Sequence, residues 1–213
     1  MVERWTFGVE PLPQQVQLAG ALRRVAALAL SLEHEDDAVV ELLADLARAE
    51  AALIALGPVD AGPRVGAASE GDGRAYLDHA RDIGAYDPAF PEYTIEVAGD
   101  RATGTVEFSR VFEGPPGLVH GGFLAVLIDC VVQHHSCDVG VAGKTTGLSL
   151  RYRRPTPLDT ALTFTIDRTV ADDRIRSVVR LHQGDVLLCE AEVEAIAGDR
   201  GALPAVSPRR ARS

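Results

Sequence analysis

Between residues 92 and 196 the chain alternates apolar and polar residues with a period of two, and one segment breaks the pattern. Residues 121–137 carry Phe123, Leu124, Ala125, Val126, Leu127, Ile128, Val131 and Val132 around every side of a helix. A helix without a polar face has to be enclosed. Strands joined by turns are the material on hand to enclose it. Tyr93, Ile95 and Val97 alternate, as do Val106, Phe108 and Phe112, then Leu148, Leu150 and Tyr152, then Leu162, Phe164 and Ile166. Ile175, Val179 and Leu181 follow, and last Leu187, Cys189, Ala191, Val193 and Ala195, set against Glu190, Glu192 and Glu194. That last run is burial on one face only. "ADDR" (171–174) and "HQGD" (182–185) read as hairpin turns, so the sheet is antiparallel. The expected fold is α+β, an antiparallel sheet curled around one central helix. A continuous strand over 123–132 competes, but the length of the run and its two opening glycines favour the helix.

The helix carries one carboxylate, Asp129, within its apolar run. Taking a carboxylate out of water costs several kcal/mol unless partners or a wet cleft receive it. That makes Asp129 a candidate functional acid. Gln133 lies one turn on, facing the same way, and either holds that carboxylate or a water or is a satisfied polar group at the helix edge. At the other end, "PPGLVHGG" (115–122) leads into the helix. A helix start offers unpaired N–H groups and the positive dipole end, and glycine lets a ligand approach. Gly121 and Gly122 thus form a polarising pocket for a carbonyl oxygen or an anion, or merely allow a tight turn. Gly121 and Asp129 are eight positions apart, about 12 Å along the axis. A reacting carbon needs its attacker and its oxyanion donor each within about 3 Å. Acting together, the glycine turn of one chain meets the aspartate of another, which implies at least a dimer with two shared sites.

Upstream, Leu18, Leu22, Val25, Ala29 and Leu32 recur at alternating steps of four and three. Asp36 or Asp37 can cap a second helix, with Val39, Leu42, Leu43, Leu46, Leu53 and Leu56 on one face. Residues 14–56 therefore read as a helical hairpin, and residues 57–74, rich in Gly and Pro, as a linker. The expected organisation is an N-terminal extension and linker over 1–75, a main domain over 76–197 and a tail over 198–213.

The formal net charge of −10 disfavours a nucleic-acid backbone as partner. Arg151, Arg153 and Arg154 form a local basic cluster suited to a small anion, while Arg209, Arg210 and Arg212 read as a solvated tail. Three cysteines, an odd and sparse count, fit a reducing cytosol rather than a disulfide scaffold. The opening "MVERWTFGVEPLP" lacks an apolar signal core, and no uncharged stretch reaches about 18 residues. A cytoplasmic protein without membrane contact is expected.

Two further signals are set aside. "DVGVAGKT" (138–145) nearly spells a phosphate loop, but Asp138 stands where glycine is needed and a helix, not a strand, precedes it. Cys130, His134, His135 and Cys137 have partial metal-ligand spacing without a second cluster, so no metal is expected. The histidines suit the negative end of the helix, and His134 or His135 more readily lines a ligand pocket.

"GPPGLVHGGFLAVLID", followed by "TTGLSLRYRRPTPL", resembles the hotdog-fold acyl-CoA thioesterases of the phenylacetic-acid thioesterase-like group, over about residues 90–196. The resemblance implies a hotdog fold, paired as a dimer or a dimer of dimers, that hydrolyses an acyl-CoA without a cofactor. It implies that the Gly121 N–H polarises the thioester carbonyl. Asp129 of the facing subunit would act as base or nucleophile, and Thr145 would place water or the carboxylate. His120 organises the loop. Arg153 and Arg154 greet the nucleotide end of coenzyme A or are solvated, and Tyr152 is read as core. Several members carry Asn or Gln where this chain has Gly114. The alternatives are an acyl-CoA-binding or scaffold protein of the same fold, and an enoyl-thioester hydratase. A hydratase wants an Asp/His or Glu/His pair at a spacing that is not found.

Overall fold

A computed structural model describes residues 13–56, 64–67, 74–76, 82–140, 143–197 and 207–208. Much of the predicted linker, most of the tail with its three arginines, and the first twelve residues lie outside the described residues.

The main body is a six-stranded antiparallel sheet holding one long helix. The strands are β3 (Tyr93–Ala98), β4 (Arg101–Val106), β5 (Gly143–Tyr152), β6 (Leu162–Ala171), β7 (Arg174–Gln183) and β8 (Val186–Ala197). Their order across the sheet is β3-β4-β6-β7-β8-β5. Before them, β1 (Arg64–Ala67) pairs antiparallel with β2 (Arg74–Tyr76) and parallel with β9 (Ser207–Pro208) in a separate small sheet. After a single-turn helix α3 (Ile83–Tyr86), the central helix α4 is Gly121–Asp138, as the apolar run predicts. Its Leu124, Leu127, Ile128, Val131 and Val132 join Phe164, Ile166, Val179, Ala191 and Val193 in one core. Each of the leucine, isoleucine, valine and phenylalanine side chains, fully buried, contributes roughly 1.5–3 kcal/mol.

The sheet curls around α4 as expected and leaves one side of the helix open within the chain. Gly122 is exposed, and Ala125, Val126, Asp129 and Gln133 are half-buried along the same side. Asp129 is therefore at the border of the core rather than inside it. Phe108 and Phe112 are core, as predicted, but not as strand residues. Strand β4 ends at Val106, and Phe112 closes a 3₁₀ turn over Arg110–Phe112. In β8 the core position is Leu188 rather than Leu187, because a register shift opposite Leu181/His182 inserts a residue and flips the alternation.

The N-terminal region forms two helices, α1 (Pro13–Ala29) and α2 (Asp37–Ala55). Asp36 caps α2 by accepting from the Ala38 N–H at 2.8 Å. The face of α1 that packs on the body is not the leucine stripe. Ala19 and Arg23 are buried, whereas Leu18 and Leu32 stand about half exposed. The cause is Arg23, which donates to the carbonyls of Asp87 (2.9 Å) and Phe90 (3.2 Å) and pairs with Glu92. A guanidinium that meets two backbone acceptors and a carboxylate fixes the rotation of the helix. Together the two helices span the residues read as a helical hairpin.

His135, fully buried, hydrogen-bonds the Gly99 carbonyl through Nε2 at 2.7 Å, and its Nδ1 has no partner among the described residues. Burial, the largest cause, lowers its pKa below 6.5, and Arg168 adds to this against the Gly99 carbonyl and the carboxylates of Asp100 and Asp138. The unfolded chain then binds a proton that the folded chain refuses. The resulting stability is present above about pH 6.5 and is lost as pH falls below it. Melting temperature is expected to drop between pH 7.5 and 5.5, and the drop to be shallower in His135→Gln. An equal slope in the two proteins counts against this assignment.

Candidate active site

The turn before α4 is built rigidly. Gly114 N–H donates to the Leu118 carbonyl, Leu118 N–H to Pro115, and Val119 N–H to Thr156, each at 2.9 Å. Glu113 accepts from the Gly117 N–H at 2.7 Å. His120 is the N-cap, and its Nδ1 accepts from the Gly122 N–H at 3.0 Å. That bond places the ring proton on Nε2 and makes His120 an organiser of the turn. Gly114 packs directly on His120, since a Cβ there would sit 2.8 Å from the His120 Cα. A side chain at this position would have to shift the His120 cap.

Gly121 is the first residue of α4, so no carbonyl a turn earlier accepts its N–H. No acceptor meets it among the described residues. Tyr152, expected in the core, is 58% exposed and lies over this turn. Its Oη donates to the Gly121 carbonyl at 3.0 Å, and a Cβ on Gly121 would lie 3.0 Å from that oxygen. Tyr152 at the end of β5 thus walls a cleft of about 660 Å³, lined by Leu118, His120, Gly121, Gly122, Tyr152, Arg153, Arg154 and their neighbours.

The register shift in β8 also sets the arginines. The Leu188 carbonyl accepts from the backbone N–H of Arg153 (2.8 Å) and of Arg154 (3.1 Å). Arg153 pairs with Glu190 at 3.4 Å. The Arg154 side chain is exposed at the cleft with no carboxylate partner among the described residues.

Asp129, Thr145 and Gln133 form a second group, two turns along α4 and outside this cleft. Gln133 Nε2 donates to Thr145 Oγ1 at 2.9 Å, and Thr145 Oγ1 donates to Asp129 Oδ1 at 2.8 Å. Thr145 has a single hydroxyl proton, so the chain is ordered from amide to carboxylate. Asp129 Oδ2 remains without a donor among the described residues. Thr145 reaches α4 because β5 is irregular. Thr145 faces Ala195 and Leu148 faces Val193, with a register shift between Thr145 and Gly147. Directly opposed residues share a face. Regular alternation would have put Thr145 and Leu148 on opposite sides.

The candidate residues thus fall into two groups. His120, Gly121, Gly122, Arg153 and Arg154 gather at the cleft, and Asp129, Gln133 and Thr145 gather along the open side of α4. Tyr152 belongs to the first group and was hidden by its fit to the apolar alternation. His134 and His135 do not line the cleft. His134 is buried against Tyr93, whose Oη lies 3.0 Å from Nδ1. The Cys130 thiol is pushed up to about 12, by burial first and by the neighbouring Asp129 charge second, so it is no nucleophile at neutral pH. No group of three metal-ligating side chains occurs among the described residues. No helix there is long and apolar enough to cross a membrane.

With this geometry in place, comparison with solved structures gives the class. A thioesterase superfamily protein superposes with a TM-score of 0.69 at 25% identity, over 90% of this chain and 100% of that one. A hypothetical thioesterase with coenzyme A from Streptococcus pneumoniae TIGR4 matches 50% of this chain and 88% of its own, at 23% identity and a TM-score of 0.47. Thioesterase superfamily member 2 from Mus musculus matches 50% and 82%, at 15% identity and 0.47. No protein-family model matches the chain. The chain has the hotdog fold of the thioesterase superfamily.

Proposed function

We propose that this protein hydrolyses an acyl-CoA thioester at sites shared by two subunits. The observation that carries the reading is the ordered Gln133–Thr145–Asp129 chain on the side of α4 that its own sheet leaves open. Strand β5, at the sheet edge beside it, exposes Leu148 and a ten-residue row of backbone groups on its unpaired side. An exposed edge of that length is a template for a second copy. A two-fold pairing there covers the half-buried stripe and brings Asp129 of one subunit toward the Gly121 turn of the other.

In such a site the Gly121 N–H holds the thioester oxygen and stabilises the charge that develops on it. Asp129, oriented through Oδ1 by Thr145, takes a proton from water with Oδ2 as the water attacks. Attack by the carboxylate itself, through a mixed anhydride, uses the same two groups. The C–S bond then breaks; after water attack the proton held by Asp129 passes to the departing sulfur, and the acid and the thiol of coenzyme A leave. On the anhydride route a water afterwards cleaves the anhydride to free the acid and restore Asp129. Arg154 at the cleft meets a phosphate of the nucleotide.

Thiol release from a panel of acyl-CoAs tests the reading. Turnover is expected in wild type, and an alanine at Arg154 is expected to raise KM about ten-fold, one charge-assisted hydrogen bond at the low end of its range. KM for the matching acyl-pantetheine, which lacks the nucleotide, should not move. Tight binding without thiol release would identify an acyl-CoA-binding protein. Water addition without thiol release would identify a hydratase.

A further inference from the structure

Gly121 is by nature a poor place to hold a reactive donor. Glycine is the freest residue in φ and ψ, and the first turn of a helix frays. An oxyanion donor helps only if it is already aimed when charge develops. Four backbone groups flank the Gly121 Cα, on the two peptides that meet there, and three of them are tied. The His120 carbonyl accepts from the Phe123 N–H at 2.9 Å. The Gly122 N–H donates to His120 Nδ1 at 3.0 Å. The Gly121 carbonyl accepts from Tyr152 Oη at 3.0 Å. The fourth, the Gly121 N–H, has no acceptor among the described residues. Two of the three ties come from the helix start itself, and the third comes from the far end of β5.

Burial does not hold Tyr152 in place, because its side chain is exposed. Its ring rests where a side chain at residue 121 would stand. A Cβ on Gly121 would lie 3.0 Å from Oη, 3.1 Å from Cζ and 3.3 Å from Cε1. The glycine admits the ring, and the ring brings the hydroxyl. That hydroxyl and His120 grip opposite ends of one peptide, in the order Tyr152 O–H, Gly121 C=O, Gly122 N–H, His120 Nδ1. A donor on a carbonyl polarises the whole peptide, so the two bonds reinforce one another.

We infer that Tyr152 is a positioning residue of the candidate active site, its hydroxyl holding the Gly121–Gly122 peptide so that the Gly121 N–H stays aimed at the thioester oxygen. The effect on turnover rests on the thioester reading, whereas the hold on the turn does not. An aim that matters once charge develops is felt in kcat rather than in KM.

Tyr152→Phe in the full chain tests it, because the change deletes the hydroxyl and keeps the ring. Thiol release from acyl-CoA is expected to show kcat lowered about three- to ten-fold, the worth of one neutral hydrogen bond, with KM unmoved. Amide hydrogen exchange, read by NMR without substrate, is expected to quicken at Gly122 by about the same factor. Val131 and Val132, buried midway along α4, should exchange as in wild type. A raised KM at constant kcat would make Tyr152 a substrate wall only and overturns the inference. So does an unchanged rate at Gly122. Equal acceleration at all three amides also overturns it, as a general loss of stability. Turnover lost in Asp129→Asn but untouched in Tyr152→Phe would keep the thioester reading and sink this one. If wild type releases no thiol, the thioester reading fails, and exchange at Gly122 decides the inference alone.

Discussion

Asp129→Asn is expected to lower kcat for acyl-CoA hydrolysis by about 10²–10⁴-fold, the range for a positioned general base, with folding and assembly intact. Asparagine keeps the size of the side chain, and its carbonyl oxygen still accepts from Thr145 Oγ1, so the bond seen at 2.8 Å survives. What is lost is the basic and nucleophilic character of the free oxygen. The substitution therefore disables direct water attack and the anhydride route together. Neither KM nor sedimentation mass should change appreciably. Thr145→Val, which leaves the carboxylate in place but removes its orienting donor, should cost less. Retained turnover in Asp129→Asn would move the chemistry elsewhere in the molecule. A thioester-binding protein without turnover would show no difference between wild type and variant beyond affinity.

The parts of this site were unevenly legible in the sequence. Asp129 and Gly121 stood out because each violates its surroundings: a carboxylate within an apolar run, and a pair of glycines where a helix begins. The all-apolar helix and the period-two strands around it were enough to indicate the sheet-and-helix architecture. Thr145 was legible only through resemblance, because its side of β5 depends on an irregularity that alternation cannot express. The same blindness placed Leu187 on the core face, where a register shift turns Leu188 inward instead. Tyr152 fitted the apolar count perfectly well, and only the geometry shows its ring over Gly121 with its hydroxyl on the carbonyl. In α1 the leucine stripe was real but its orientation was not readable. One arginine with two distant backbone acceptors outweighs it, and partners 64 and 67 residues away leave no trace in local periodicity.

Gly121→Pro is the complementary substitution, expected to cost about 10²–10³-fold in kcat, the range for one oxyanion donor. Proline at the first helical position is well tolerated, because the N–H it removes has no partner within the helix. The preceding His120, with φ −66° and ψ 130°, already holds the extended conformation that proline demands of its neighbour. The variant thus deletes one hydrogen-bond donor with little disturbance, beyond a shift of the Tyr152 ring, whose hydroxyl would lie 3.0 Å from the new Cβ. Together the two substitutions test where the site is assembled. In a composite site each defective chain carries one good half. An equal mixture of Asp129→Asn and Gly121→Pro chains, allowed to exchange subunits, places both defects in one site of every mixed dimer and leaves the other site whole. With half of the dimers mixed and one site of two intact in each, about a quarter of wild-type activity should return from two nearly inactive preparations. If Asp129 and Gly121 of the same chain served one thioester, every site would carry a defect and mixing would restore nothing.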